Sequence, residues 1–331
     1  MKAATTIPMH GARTGSTPLV GFAIVLVAAA LFGTLGPLSR AAYAQGLEPL
    51  SFVTWRAGIA ALALIVIVGW GVSRGRPLTR LASLDGRARL GLLVAVTTAT
   101  TLNLAMFAAF NRIAIGLALL GFYTYPALTA AVAVVLGREP LDRPRAIALA
   151  LATGGMILVL AGQLEGGRLA IDPLGIGLAL GAAISQTVFV TISRDAYRAV
   201  PSDQAMAVIL LGSAAASAVV ALLAGVGGEL AQPLSRPDVL PVILFSGIAA
   251  AAIPSLLFLN GIRLIGGTRT AILMLLEPLV GVGLAALLLA ESLRPIQLVG
   301  GAGILAAAIV LQRAAMSTGR PSPEAEPREA A

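Results

Sequence analysis

The sequence predicts an all-α polytopic membrane protein: ten transmembrane helices arranged as two inverted five-helix repeats. Three observations carry this. Of 331 residues, 58% are hydrophobic and 11% charged, too little charge to cover a soluble domain of this length. The apolar residues fall in runs of roughly 20, enough to cross about 30 Å of hydrocarbon. Two residue patterns recur about half a chain apart. Backbone groups in lipid must be satisfied within the segment, so each run is read as a helix.

The apolar segments are Leu19–Ser39, Leu50–Val72, Leu90–Phe110, Ala114–Leu136, Pro144–Gly162, Leu174–Ser193, Asp203–Val226, Val239–Asn260, Thr268–Ala290 and Pro295–Gln312. Residues 1–17 read as a disordered leader. Residues 314–331, with prolines among Glu and Ala, read as a disordered tail. Between them, residues 18–162 form the first repeat and 163–313 the second. Ala42-Tyr43-Ala44 after an apolar run resembles a signal-peptidase site. That run exceeds the 7–15 residues of a signal h-region, and its removal would delete a segment with a later counterpart, so it is read as retained.

Arginine placement predicts orientation. With the N-terminus in the cytoplasm, inside stretches hold 17 Lys and Arg, among them Arg74, Arg76, Arg138, Arg194, Arg263 and Arg313. Outside stretches hold 5: Arg40, Arg112, Arg168, Arg236 and Arg294. This bias over short loops places both termini in the cytoplasm. The same bias accounts for the net charge of +8. No basic stripe with interleaved aromatics points to nucleic acid.

Leu38-Ser39-Arg40-Ala41-Ala42-Tyr43 recurs as Ile192-Ser193-Arg194-Asp195-Ala196-Tyr197, 154 residues on. Tyr125-Pro126 aligns with Glu277-Pro278, 152 residues on, each followed by Glu-x-Leu at Glu139 and Leu141 or Glu291 and Leu293. A five-helix unit is odd, so its second copy enters from the opposite side. Inverted repeats supply two related conformations around a midplane site, an arrangement suited to transport.

This layout, the Thr54-Trp55-Arg56-Ala57-Gly58-Ile59-Ala60-Ala61 stretch and the paired Pro…Glu-x-Leu motifs resemble the EamA domains of the drug/metabolite transporter superfamily. The resemblance covers about Leu19 to Arg313. It implies a ten-helix inverted-repeat carrier, commonly an exporter of amino acids or other metabolites, in the bacterial inner membrane. Tyr125 stands where many members have a less polar residue. Gly33-Thr34-Leu35-Gly36 stands where members often show a Trp-Gly pair.

Glu277 is the sharpest candidate for substrate binding or coupling. It is expected about seven residues inside the ninth helix, roughly 10 Å deep. A carboxyl at such depth is costly and faces a cavity or a partner. Pro278 cannot donate to the Met274 carbonyl, and Pro126 frees the Phe122 carbonyl in the same way, so both are expected to break their helices. Arg56 is the other intramembrane charge. Its expected depth differs from that of Glu277 by about 12 Å, which argues against a direct salt bridge. It could bind a substrate carboxylate, or Tyr125. Trp55 is either a site residue or an interfacial aromatic. Asn103 and Phe107 share a helix face by i, i+4 spacing. Gln186 is a buried amide needing a partner, and Asn260 reads as a cap. Glu139 and Glu291 read as interfacial capping or gate residues. Gly177, Gly181 and Ser185 form a small-residue stripe suited to helix packing or a homodimer face.

No cysteine is present, and His10 is the single histidine. No thiol chemistry and no His-based metal cluster in the membrane is therefore expected. No Asp dyad, Ser–His pair or phosphate loop is present, so neither an enzyme nor a cofactor is expected. The expected partners are the lipid bilayer and a small-molecule substrate. The alternative function is a non-transporting membrane anchor or assembly protein.

Overall fold

The computed structural model describes residues 17–110, 112–113, 115–164, 172–289 and 294–317. The expected leader, most of the tail, Glu291 and Leu293, and the side chain of Phe107 lie outside the described residues.

Among the described residues, ten spans are long and apolar enough to cross a membrane, at the ten predicted places: α1 Leu19–Ala44, α2 Pro49–Ser73, α3 Gly86–Phe110, α4 Leu117–Val135, α5 Arg143–Ala161, α6 Pro173–Ser193, α7 Ser202–Leu223, α8 Pro237–Ile265, α9 Gly267–Leu284 and α10 Pro295–Ala315. The face at which α1 begins is called proximal below, and the opposite face distal.

The packing obeys the repeat. Helices α2 and α7 pack together, as do α5 and α10. Helix α3 lies on α6 while α1 lies on α8, and α4 meets α6 while α9 meets α1. Exchanging each helix for the one five places later maps this set onto itself. The α5–α10 crossing is close because both partners are glycine there: a Cβ on Gly155 would strike the Gly300 carbonyl, and a Cβ on Gly300 the Gly155 carbonyl. Small residues allow such approach in lipid, where dispersion and hydrogen bonding replace the hydrophobic drive between helices.

The interior is rich in alanine, with Tyr125, Tyr197, Phe52, Met156 and Leu160 among its largest fully buried side chains. Leu62, Val66, Leu93, Ile184, Leu222 and Leu287 are among the exposed apolar residues. In a soluble protein such a belt would aggregate; here it meets acyl chains.

Four spans are irregular, and these irregularities shape the site. Helix α4 is built of Ile115–Phe122 and Tyr125–Val135, and α9 of Gly267–Leu273 and Leu276–Leu289. In each, the second half carries proline as its second or third residue, a position where the missing N–H costs no helical bond. The prolines therefore break both helices, as predicted. The Met274 carbonyl, however, is taken by the Glu277 amide at 3.0 Å, so it is less free than the sequence implied. Helix α1 is interrupted at Thr34, whose hydroxyl bonds the Leu31 carbonyl at 2.6 Å. Helix α8 passes through a π-helical turn at Ile248–Ala252, a widening often found beside functional sites.

The first repeated anchor differs between the copies. Residues 38–43 continue the helix Leu35–Ala44, whereas α6 ends at Ser193 and the chain turns through Arg194 to Tyr197. Asn260 lies five residues before the end of the helix Ile253–Ile265, so it is not a cap; Gly266, with φ 90°, ends that helix. Gly177 and Gly181 have open space where a Cβ would stand. Among the described residues, the two glycines of the stripe on α6 therefore meet no close neighbour, whereas Ser185 is buried.

Candidate functional site

The proximal ends of the helices are tied together by polar contacts. Arg194 Nη1 lies 2.5 Å from Glu139 Oε1, which also accepts the Gly267 amide at 3.1 Å. Arg263 donates to the Val200 and Tyr197 carbonyls and to the Ser202 hydroxyl, at 2.9, 3.2 and 2.9 Å. Arg76 pairs with Asp203, and the Thr79 amide donates to Gln204 Oε1 at 3.2 Å. Glu139 thus caps the start of α9, the capping role expected of it, although from the segment after α4.

Above this closed end lies a cavity of two lobes. The distal lobe, about 240 Å³, reaches Ser39 and Tyr43 near the distal end of α1. The central lobe, about 250 Å³, lies among α2, α3, α4, α6, α7, α8 and α9. Arg56, Tyr123 and Glu277 line both lobes, with Phe32, Leu35, Phe110 and Leu119. The charged residues therefore sit where the lobes meet, in walls that are mostly apolar.

Glu277 is placed there by the break in α9. It is ten residues from Gly267, about 15 Å along a helix at 1.5 Å per residue, so it lies deeper than the sequence suggested. Arg56 is seven residues from the start of α2, about 10 Å from the distal face. The depth difference is thus smaller than the expected 12 Å. Both charges border one cavity, yet no ion pair joins them among the described residues. Arg56 Nη2 instead donates to Asn103 Oδ1 at 3.2 Å, while Asn103 Nδ2 donates to the Ala99 carbonyl at 2.8 Å. The amide is thereby locked in the orientation that presents oxygen to the guanidinium. Arg56 Nε has no partner, which leaves donor capacity toward the cavity.

Tyr125 lines the central lobe and is 2% exposed. Its ring packs on Phe122 and Tyr123, with centroids 5.2 and 6.4 Å away. Its carbonyl accepts from the Thr187 hydroxyl at 3.4 Å. Pro278 lines the distal lobe and Gln186 the central one.

Trp55 does not line either lobe. Its indole N–H donates to the Leu230 carbonyl at 2.8 Å, and its ring joins a distal cluster with Ala42, Phe52 and Ile243. An indole needs a hydrogen-bond partner when half-buried, and the loop before α8 supplies it. Pro126 is buried at the break in α4 and borders neither lobe. Tyr123 is the residue that sequence reasoning missed. It borders both lobes beside the Glu277 carboxyl. Its signal was its place two residues before Tyr125, within the helix break.

Gly33 fixes how α1 meets the site. A Cβ there would lie 2.8 Å from the Glu277 carbonyl and 2.8 Å from Val280 Cβ. Only glycine lets α1 pass this close to the break in α9. Thr187, 154 residues on, occupies the equivalent place against Tyr125. On α8, Gly247 sits against Ile59 and the Arg56 carbonyl, so the π-helical turn begins where α8 crosses α2 beside Arg56. Among the described residues, no group of His, Cys, Asp and Glu could hold a metal ion.

Broken helices from two inverted repeats that meet at a charged midplane cavity define a class of polytopic membrane transporter. The model of the EamA-like transporter family matches residues 19–161 and 173–313, and the chain belongs to that family, a family of membrane transporters rather than enzymes. No curated protein matches the chain. A solved structure titled only "Crystal structure of protein" is similar in fold, with TM-score 0.74 at 18% identity over 92% of this chain and 98% of that one.

Proposed function

We propose that this protein is a secondary carrier that exports small metabolites bearing both a carboxylate and an amine, by alternating access across the bacterial inner membrane. The observation that carries the reading is the shared cavity of Arg56 and Glu277 at the break in α9. Opposite charges that are near but unpaired suit a ligand that supplies both counter-charges. Arg56, held by Asn103, takes the carboxylate; Glu277 takes the ammonium or a proton. The apolar walls accept the remainder.

Orientation rests on the arginine bias, which puts the proximal face and both termini in the cytoplasm. In that frame the cytoplasmic end is closed by the Glu139–Arg194 pair and its neighbours, and the cavity reaches outward. Export is the direction implied by the resemblance to EamA domains. Flux in proteoliposomes tests the reading. Wild-type protein is expected to move amino acids, Arg56→Ala to lose carboxylate-bearing substrates selectively, and Glu277→Gln to lose the pH dependence of flux. Absence of flux for every solute tried would favour the anchor alternative. Unchanged flux and pH profile in Glu277→Gln would remove Glu277 from coupling.

A further inference from the structure

The central lobe contains polar groups that the charged pair does not use. Gln186 on α6, Ser213 on α7 and Ser255 on α8 all line it. Ser213 is 2% exposed and Ser255 9%, and none of the three side chains bonds to another described residue. Other buried hydroxyls also lack partners, among them Ser51, Thr129, Thr153, Ser217 and Thr268, but Ser213 and Ser255 differ in lining the cavity. Thr98, Thr100, Thr187 and Thr191 each bond a carbonyl one turn earlier, at 2.7–2.9 Å. Such back-bonding is the common outlet for a helical hydroxyl. Ser213 and Ser255 keep their hydroxyls for the cavity, and Gln186 keeps a whole amide.

Buried polar groups without partners are costly, and water fills them when room allows. An apolar substituent that displaced that water would leave three groups unpaired; a substituent with its own donor or acceptor would replace it. These side chains are neutral and come from three helices, on a lobe that Phe189 and Phe258, stacked at 6.4 Å, also line.

We infer that Gln186, Ser213 and Ser255 form a second, uncharged recognition subsite, which takes a hydrogen-bonding substituent at the far end of a charged substrate. The charged seat at Arg56 and Glu277 holds the head group, and the central lobe reads the tail. This deepens the carrier reading and rests on it. It changes the expected substrate from a zwitterion with a hydrocarbon side chain to one whose side chain carries a hydroxyl, amide or similar neutral group.

The test is a factorial binding experiment on the purified full chain, read by ligand-induced thermal shift. Three pairs differ only in the tail: phenylalanine and tyrosine, 3-phenylpropionate and 3-(4-hydroxyphenyl)propionate, and phenethylamine and tyramine. Leucine and asparagine form a fourth pair of similar shape without a ring. The polar member is expected to bind about 10-fold more tightly, the range of one or two net hydrogen bonds. In Ser213→Ala/Ser255→Ala that preference is expected to vanish, because the polar member loses its partners and the apolar member no longer strands two hydroxyls. Equal affinities within every pair, or a preference that survives the double substitution, overturns the subsite. Head group and tail are separate axes. A zwitterion advantage without a tail preference leaves the carrier reading and removes the subsite. A tail preference without a zwitterion advantage does the reverse. Binding by no member of any pair overturns both.

Discussion

Arg194 and Glu139 meet at 2.5 Å across the proximal end of the bundle, joining the end of α6 to the segment after α4. The Glu139 side chain is 10% exposed and that of Arg194 35%, so the pair lies at the rim of the protein interior. Because the same carboxylate oxygen caps α9 at Gly267, three helices share one anion.

Removing the cation leaves that anion to the helix end and the nearby Arg269. Arg194→Ala is expected to cost about 1–2 kcal/mol, below the fully buried case because the arginine is partly solvated. Thermal unfolding in detergent measures it. The same variant is expected to expose a cysteine placed at Gly267 to reagents from the proximal face. An unchanged melting temperature would show that the pair adds nothing.

Gly33 and Gly181 make a paired experiment. Gly33→Ala forces a methyl against the Glu277 carbonyl and Val280, and is expected to cost about 1–3 kcal/mol with a loss of flux. Gly181→Ala meets open space and is expected to be neutral or slightly stabilising, as alanine favours a helix. A strong defect in Gly181→Ala would instead indicate that the α6 stripe packs on a second copy.

For Arg56, the prediction separates binding from folding. Arg56→Ala is expected to raise KM for a carboxylate-bearing substrate about 10- to 100-fold, the range of hydrogen bonds to a charged group. Asn103→Leu, which only frees the guanidinium, is expected to have a smaller effect of the same sign. Equal loss for neutral and anionic solutes would assign Arg56 to folding.

Tyr197, in the turn between α6 and α7, titrates outside the membrane. Burial pushes its phenol up to about 12, against the Ser193 hydroxyl and Arg263, which pull it down. A phenol that ionises later in the folded protein contributes stability that is fully present below its unfolded value, about 10. That contribution is lost as pH rises toward 12. Unfolding followed from pH 9 to 12 is expected to show a decline of about 2–3 kcal/mol that is absent in Tyr197→Phe.

The ten spans and the repeat were readable because lipid imposes a length on every helix and because Pro126, Pro278 and the Glu-x-Leu pairs mark equivalent points. Glu277 and Arg56 stood out as charges in apolar runs. What stayed hidden depends on which way a side chain turns. Trp55 and Arg56 are neighbours in sequence, yet one bonds a loop carbonyl and the other lines the cavity. Tyr123 gave no periodic signal because it lies in a break, where helical spacing no longer predicts a face. The small-residue stripe on α6 does not by itself tell packing within the chain from a dimer face, because an apolar face toward lipid and one toward protein have the same composition.

A chain with two identical halves would possess two shapes of equal free energy, related by a two-fold axis in the membrane plane. This one does not: where the second half carries Glu277, the first carries Tyr125, and where α1 offers only the bare backbone of Gly33, α6 offers the hydroxyl of Thr187. In the proposed alternating-access cycle each mismatch tilts the balance between the shapes, so single residues at matched positions set the resting preference. Swapping Tyr125 and Glu277 is then a way to turn that preference around without altering the architecture.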